Sequence, residues 1–278
     1  CAGDMDGDGD EDLFVAHPGG SYLYRADWTG GQFQHYENVA GSPAYFAAGT
    51  EGWLQDVLCA AWIDYDHDGD LDLQLGRGTF EIHEGEAGGA AYQQFSGARG
   101  ALFQNQTGEV GGGEPLFLLQ QDTGLTPPES SPAATAVVWC DLNSDGLWEV
   151  FVGDAGGSDS RLYRQVNGET FMRAQAFGLP GVVSAQWFDA DQDGIFDLLA
   201  TQAIGGAHVL YGINGGWGGG SVDEAGLVTL RVADSSSATI AVAGDVDADT
   251  WQDVIVSSLG TSEAILNLGA WENFDEPF

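Results

Sequence analysis

An acidic motif occurs five times along the chain and constrains its fold more than any other feature. The pattern is D-x-[DN]-x-D-G-x-x-[DE]-[LV], and its first aspartates lie at residues 4, 64, 141, 189 and 245. Successive motifs are therefore 60, 77, 48 and 56 residues apart. One such motif can arise by chance, but five in register indicate a repeat protein whose unit is one supersecondary structure.

The motif has the chemistry of a site for a hard divalent cation. Calcium takes about six to eight oxygen ligands, and side chains at positions 1, 3 and 5 converge when the backbone curls tightly. Glycine at position 6 permits the turn through a positive φ, position 7 adds a backbone carbonyl, and position 9 adds a closing carboxylate. Without a cation, carboxylates this close would repel one another and raise one another's pKa.

The motif therefore predicts up to five calcium ions. The predicted ligands are Asp4, Asp6, Asp8, Asp10 and Asp12 in the first loop; Asp64, Asp66, Asp68, Asp70 and Asp72 in the second; Asp141, Asn143, Asp145, Leu147 and Glu149 in the third; Asp189, Asp191, Asp193, Ile195 and Asp197 in the fourth; and Asp245, Asp247, Asp249, Trp251 and Asp253 in the fifth.

Two of the loops depart from the pattern and are expected to bind more weakly. Thr250 replaces the turn glycine of the fifth loop, which should strain the turn. The third loop has Asn143 and Glu149, so it carries less negative charge and a longer closing arm.

The flanking sequence identifies strands and excludes an EF-hand. An EF-hand loop needs an acidic ligand at position 12 and flanking helices, whereas position 12 is apolar in all five units of this chain. A strand-like stretch such as TAVVWC precedes each later loop, and runs such as EVFVG and DVIVSS follow. A third stretch (YLYRA, ALFQN, RLYRQ, VLYGI, AILNL) and a fourth complete each unit.

Four short strands per unit are typical of a propeller blade. The predicted fold class is all-β, a β-propeller of four-stranded antiparallel blades. One domain over residues 1–278 is expected, with blades at about 1–45, 46–130, 131–180, 181–235 and 236–278. The leading strand of the first blade is missing or reduced to residues 1–3. The five repeats either form part of a longer propeller or close into a five-bladed ring.

These residues resemble the FG-GAP/VCBS repeat family of integrin α-subunits and many secreted bacterial proteins. SRLYRQVNGETF at 160–171 and SYLYRADWTGGQF at 21–33 are most similar to the branch of cartilage acidic protein. The resemblance implies a propeller, often seven-bladed, with one calcium ion in the first interstrand loop of each blade. It does not imply one function, because the fold serves adhesion, receptor and enzyme roles.

The charge excludes several classes of partner. The chain has 43 acidic residues against 7 arginines and no lysine, which gives a net charge of −36. A surface this acidic repels nucleic acid and anionic lipid, and no apolar run is long enough for membrane insertion. Extracellular calcium sites bind with dissociation constants of about 10⁻⁴–10⁻³ M, so a secreted or cell-surface location is expected.

The leading hypothesis is a non-enzymatic module for adhesion or assembly, with a protein or glycan partner at the cell surface or in the extracellular matrix. No G-x-S-x-G or H-E-x-x-H motif is present. Carbohydrate binding or turnover through the insertion at 76–100 is one alternative. A structural subunit of a filament or surface layer, with self-assembly through an open propeller edge, is another.

Three further features leave alternatives open. Trp62, Trp139 and Trp187 each lie two residues before a loop, where packing between blades is favoured over a carbohydrate platform. Asn105 begins an N-x-T sequon, which is a glycosylation acceptor only in a suitable secretory pathway. Whether Cys59 and Cys140 pair is open, since three cysteines leave at least one unpaired.

Overall fold

The structure is a computed structural model. It describes residues 1–29, 32–39, 45–47, 50–83, 92–97, 100–106, 116–120, 123–125, 133–154, 159–203, 206–210, 227–230, 238–258 and 262–266. The side chains of residues 80–83 and 92–97, among others in strands, are not described.

Five antiparallel sheets follow one another along the chain, and they are called blades 1 to 5 below. Blade 1 contains β1 (Ala2–Gly3), β2 (Asp12–Val15), β3 (Tyr22–Thr29) and β4 (Gln32–Asn38). Blade 2 contains β5 (Val57–Ile63), β6 (Asp72–His83), β7 (Tyr92–Gly97), β8 (Ala101–Asn105) and β9 (Phe117–Gln120). Blade 3 contains β10 (Ala134–Cys140), β11 (Glu149–Asp154), β12 (Asp159–Asn167) and β13 (Thr170–Pro180).

The remaining two blades repeat this plan. Blade 4 contains β14 (Val182–Phe188), β15 (Asp197–Gln202), β16 (Gly206–Leu210) and β17 (Leu227–Leu230). Blade 5 has three strands within the described residues, namely β18 (Ala238–Gly244), β19 (Asp253–Ser258) and β20 (Ser262–Ile265). Strands pair in chain order in blades 1, 3, 4 and 5, whereas blade 2 has the order β5-β6-β8-β9 and its β7 pairs with β6. Each acidic motif joins the first two strands of its blade. The predicted all-β fold of propeller-type blades is confirmed.

Two blades differ from the four-stranded plan for reasons visible in the sequence. The leading strand of blade 1 is only two residues long and pairs through Ala2 with Leu13. Blade 2 carries the insertion at 76–100, where β6 continues past the blade and pairs with the extra strand β7. The residues 84–91 and 98–99 of that insertion lie outside the described residues.

Residue contacts divide the chain into two compact units, 1–137 with 165–172 and 138–164 with 173–278. The first unit has a core of buried side chains from blades 1 and 2, including Phe14, Leu73 and Phe103. The second has a core from blades 4 and 5, including Leu199 and Val254. The one helical element among the described residues is a short 3-10 helix, Glu51–Leu54.

Tryptophans before the loops pack against the preceding blade. The rings of Phe14 and Trp62 meet edge to face at 6.5 Å between centroids, with an interplanar angle of 82°. Phe151 and Trp187 repeat this contact at 6.4 Å and 80°. Edge-to-face pairs of this kind add to the stability gained by burial, so these two tryptophans pack between blades, as the sequence favoured.

No helix in the described residues combines the length and hydropathy that a membrane span requires.

Candidate metal-binding loops

The five acidic loops share one backbone conformation. The residue at position 6 has a φ of 95° at Gly9, 97° at Gly69, 82° at Gly146, 84° at Gly194 and 81° at Thr250. Position 4 is also left-handed, and glycine occupies it in the first loop alone. The sequence predicted the positive φ at position 6 but not the one at position 4, where His67, Ser144, Gln192 and Ala248 stand.

Hydrogen bonds from backbone N–H groups to the acidic side chains hold each loop curled. In all five loops the N–H of position 6 donates to the carboxylate of position 1, as in the 2.9 Å bond from Gly9 to Asp4 Oδ2. The N–H of position 7 likewise donates to the carboxylate of position 5. The aspartates therefore shape the loop in addition to lining it.

The acid at position 9 is buried and joins the loop to the blade. Its carboxylate accepts from the N–H of position 2 in every loop, at distances between 2.8 and 3.0 Å. In blade 2 the other oxygen of Asp72 accepts from the N–H of Asn105 at 2.8 Å. Asp12 forms the equivalent bond with the N–H of Ala26 at 2.8 Å. Position 9 thus connects the loop with the third strand.

Four of the five loops bring three carboxylates together. Ligand oxygens lie within 4.8 Å of one another in the sets Asp4, Asp6 and Asp8; Asp64, Asp66 and Asp72; Asp189, Asp191 and Asp197; and Asp245, Asp247 and Asp253. The side chains of Asp10, Asp12, Asp68, Asp70, Asp193 and Asp249 are not in these sets, so position 9 belongs to the set in three loops and not in the first. Leu147, Ile195 and Trp251 can contribute only their backbone carbonyls.

The donor set of these loops fits a divalent metal ion. In the fourth loop Asp189 Oδ1 is buried with no hydrogen-bond partner, although its Oδ2 accepts from Gly194. In the second loop Asp66 Oδ1 is buried in the same way. A buried carboxylate oxygen without a donor is costly, and a cation among the three carboxylates would satisfy it.

The third loop is different. No three carboxylate oxygens of this loop, all of whose residues the structure describes, lie within 4.8 Å. Instead Arg164 on β12 donates from Nη2 to Asp145 Oδ2 at 2.6 Å, and its Nε lies 3.6 Å from Glu149 Oε1. Asn143 Nδ2 also donates to Glu149 Oε1 at 3.3 Å.

The pKa values reflect this arrangement. Burial, assisted by neighbouring carboxylates, raises the pKa of Asp6 to about 6 and the pKa of Asp72 to about 8. Burial likewise raises the pKa of Glu149 to about 7. The pKa of Asp145 is lowered, because hydrogen bonds from Leu147 N–H and Arg164 outweigh the opposing effect of burial. Burial therefore disfavours the charged forms of Asp6, Asp72 and Glu149.

Residues on the third strands complete the loops, and the sequence analysis did not identify them. Gln104 Nε2 donates to Asp66 Oδ2 at 2.6 Å. Asn105 is fully buried, and its side-chain amide donates to the carbonyl oxygens of Met5 and Leu71. The side-chain nitrogen of the sequon asparagine is therefore hydrogen-bonded inside the folded protein. The repeat could have identified these third-strand residues, because Arg25, Gln104 and Arg164 occupy equivalent positions in three units.

The cysteines are all free. Cys1 is exposed, and Cys59 and Cys140 are half-buried without a disulfide between them. Burial raises the pKa of the Cys59 thiol to about 12 and that of Cys140 to about 11.

The chain is thus a repeat protein of propeller-type blades, in which four of the five acidic loops bring three carboxylates together. Two regions, residues 4–74 and 141–200, match the family described as the FG-GAP-like repeat. These two regions are FG-GAP-like repeats, and the resemblance found in the sequence is confirmed.

Solved structures that align with the chain include a lectin and a toxin. An Agrocybe aegerita lectin that recognises non-reducing terminal N-acetylglucosamine aligns with 97% of this chain and 76% of its own, at 15% identity and a TM-score of 0.42. The Photorhabdus luminescens Tc holotoxin pore aligns with 95% of this chain but 13% of its own, at 14% identity and a TM-score of 0.32. Both superpositions are loose. No curated protein matches the chain.

Proposed function

We propose that this chain is a calcium-stabilised extracellular module that binds a protein or glycan partner and has no catalytic activity. Calcium bound in the acidic loops fixes the first two strands of each blade, and the loops and faces of the blades contact the partner. Metal bound only by the folded state stabilises that state by mass action. The proposed role of the ion is therefore structural.

The observation that carries the proposal is the repeated convergence of three carboxylates in loops that the backbone already holds in shape. The donors in all four sets are oxygen atoms, with no histidine or cysteine among them. An all-oxygen set suits calcium and disfavours zinc or copper. Loops preformed by hydrogen bonds lose little conformational entropy when an ion binds.

The proposed extracellular location and the proposed lack of catalytic activity are inferred from the sequence. Sites of this kind are filled at extracellular calcium concentrations of about 10⁻³ M, and the net charge of −36 favours a soluble protein that avoids nucleic acid and anionic lipid. The chain carries neither a G-x-S-x-G nor an H-E-x-x-H motif.

A thermal melt with metal analysis tests the proposal. The purified chain is melted in excess chelator and again in millimolar calcium, and bound metal is counted by mass spectrometry after dialysis. We expect a large calcium-dependent rise in Tm together with bound calcium. Magnesium at the same concentration is the control, because it demands tighter octahedral geometry and gives up its water reluctantly. No bound calcium and no shift in Tm would contradict the proposal.

Carbohydrate recognition is a second candidate, and a pocket on blade 1 favours it. Trp28, Phe33 and Tyr36 line a cavity of about 520 Å³ together with Asp10 and Glu11. The three rings are exposed, with centroids 5.7 Å apart for Trp28 and Phe33 and 5.1 Å apart for Phe33 and Tyr36. Exposed aromatic faces beside hydrogen-bond acceptors suit the apolar faces and hydroxyl groups of a sugar.

A panel of neutral oligosaccharides, titrated while tryptophan fluorescence is followed, tests this candidate. We expect a saturable change that is lost in Trp28→Ala. Phe196→Ala is the control, because Phe196 is an exposed aromatic residue outside the pocket. Equal binding by both variants would contradict a sugar site at this pocket.

A further inference from the structure

The third acidic loop contains a positive charge of its own. The guanidinium of Arg164 reaches Asp145 at position 5 at 2.6 Å and approaches Glu149 at position 9 to 3.6 Å. Arg164 pairs directly across the sheet with Glu149, so its position is fixed by the register of β11 and β12. A charge-assisted bond of this length is among the strong hydrogen bonds of proteins.

The equivalent residues do something different in the first and second loops. Arg25 donates from Nη1 to the Tyr45 hydroxyl at 3.3 Å, and its loop keeps Asp4, Asp6 and Asp8 together. Gln104 is neutral and bonds to Asp66 at position 3, leaving Asp64, Asp66 and Asp72 together. The second loop has five aspartates at the odd positions, whereas the third has three acids and one asparagine there. The third loop therefore has fewer charges to offset and already has a cation beside them.

We propose that Arg164 closes the third loop in place of a calcium ion, so that the loaded protein binds four ions. This inference rests on the proposed calcium function, and it divides the loops into four that need metal and one that does not. The guanidinium is held by the fold and stays in the loop when calcium is removed. Blade 3 is therefore the part of the repeat whose loop is closed at any calcium concentration.

Metal counting on single-loop variants tests this assignment. We expect four calcium ions in the unmodified chain, four in Asp141→Ala and three in Asp189→Ala. Five ions in the unmodified chain, or a loss of one ion in Asp141→Ala, would overturn the inference. No ions in any variant would instead contradict the proposed function, so the two failures are distinguishable.

A gain-of-site variant gives a second test. Replacing Arg164→Gln together with Asn143→Asp reproduces the second loop's neutral partner and restores the acid at position 3, so we expect a fifth ion. Arg173→Gln with Asn143→Asp is the matched control, because Arg173 is exposed on β13. A fifth ion in the control as well would show that Asn143 alone, and not Arg164, excludes the metal.

Discussion

The side-chain amide of Asn105 donates a 2.7 Å hydrogen bond to the backbone carbonyl oxygen of Met5, a residue 100 positions earlier. The bond recurs one blade later, where Gln165 Nε2 donates to the carbonyl of Tyr65 at 2.8 Å. Met5 and Tyr65 both occupy position 2 of an acidic loop. A polar side chain of one blade therefore stabilises the loop of the preceding blade through a hydrogen bond.

Asn105→Ala should lower Tm by several degrees. The change leaves the buried carbonyl of Met5 without this donor, which costs about 1–3 kcal/mol, and about 1 kcal/mol corresponds to 2–4 °C in a chain of this size. Calorimetry at fixed calcium measures the shift. Gln34→Ala, which removes an exposed hydrogen bond to Gln32, is the control and should leave Tm almost unchanged.

The same burial predicts that Asn105 carries no glycan. Expression in a glycosylating host followed by peptide mass spectrometry should find residues 101–106 unmodified, because attachment requires the amide nitrogen that bonds to Met5 and Leu71. A folded protein with a glycan on Asn105 would contradict the buried position of this side chain.

Variants at position 9 and at position 3 of the second loop should differ in how calcium affects their loss of Tm. Asp72→Ala removes the acceptor of the N–H groups of Tyr65 and Asn105, both in the protein interior. We therefore expect Tm to fall by several degrees with chelator as well as with calcium. Asp66→Asn keeps an acceptor for Gln104 but removes a charge, so Tm should fall only in calcium.

Paired melts in chelator and in calcium measure both effects. An Asp72→Ala protein that is destabilised only in calcium would show that position 9 acts as a metal ligand alone. An Asp66→Asn protein that loses as much stability in chelator as in calcium would show that position 3 has a structural role independent of metal.

The repeat in the sequence was sufficient to predict the fold class and the place of every loop. The spacing of residues in the repeat specifies local structure. Alternating apolar residues form strands, and a glycine such as Gly69 marks the left-handed turn. The pattern did not predict how loops differ, because Arg164 and Gln104 act from a strand that follows the loop by many residues. Nor could it predict the double use of Asp72, which depends on the register between two strands.

Thr250 stands in a conformation that suits glycine. Its φ is 81°, and a β-branched side chain is strained there by about 1–3 kcal/mol. Its N–H and carbonyl bond to Asp245 and Gln192, and glycine retains both groups. Thr250→Gly should therefore raise Tm by a few degrees, although the greater freedom of glycine in the unfolded chain offsets part of the gain.

The reverse substitution, glycine to threonine at position 6 of the fourth loop, provides the control. Gly194 has a φ of 84° with no side-chain neighbour that would clash, so Gly194→Thr introduces backbone strain alone. Its Tm should fall by a similar amount. Thr250→Gly without any gain, beside a clear loss in Gly194→Thr, would indicate that the fifth loop relaxes around threonine.

Cys59 should resist alkylation in the folded protein although it is a free thiol. Its Sγ lies against Gly76 and points toward the carbonyl of Ala134 at 3.8 Å. Burial raises the pKa of the thiol to about 12, so at pH 8 almost none of it is the reactive thiolate. Iodoacetamide at pH 8 should therefore modify Cys59 at least about 100-fold more slowly than an ordinary thiol.

Peptide mass spectrometry over time measures the rate at each cysteine. The exposed Cys1 is the internal standard, and denatured protein should show equal rates at Cys1 and Cys59. Because the raised pKa keeps the thiol neutral, the rate at Cys59 should rise about tenfold for each unit of pH between 8 and 10 while the fold persists. Modification of Cys59 as fast as Cys1 at pH 8 would contradict its packing against Gly76.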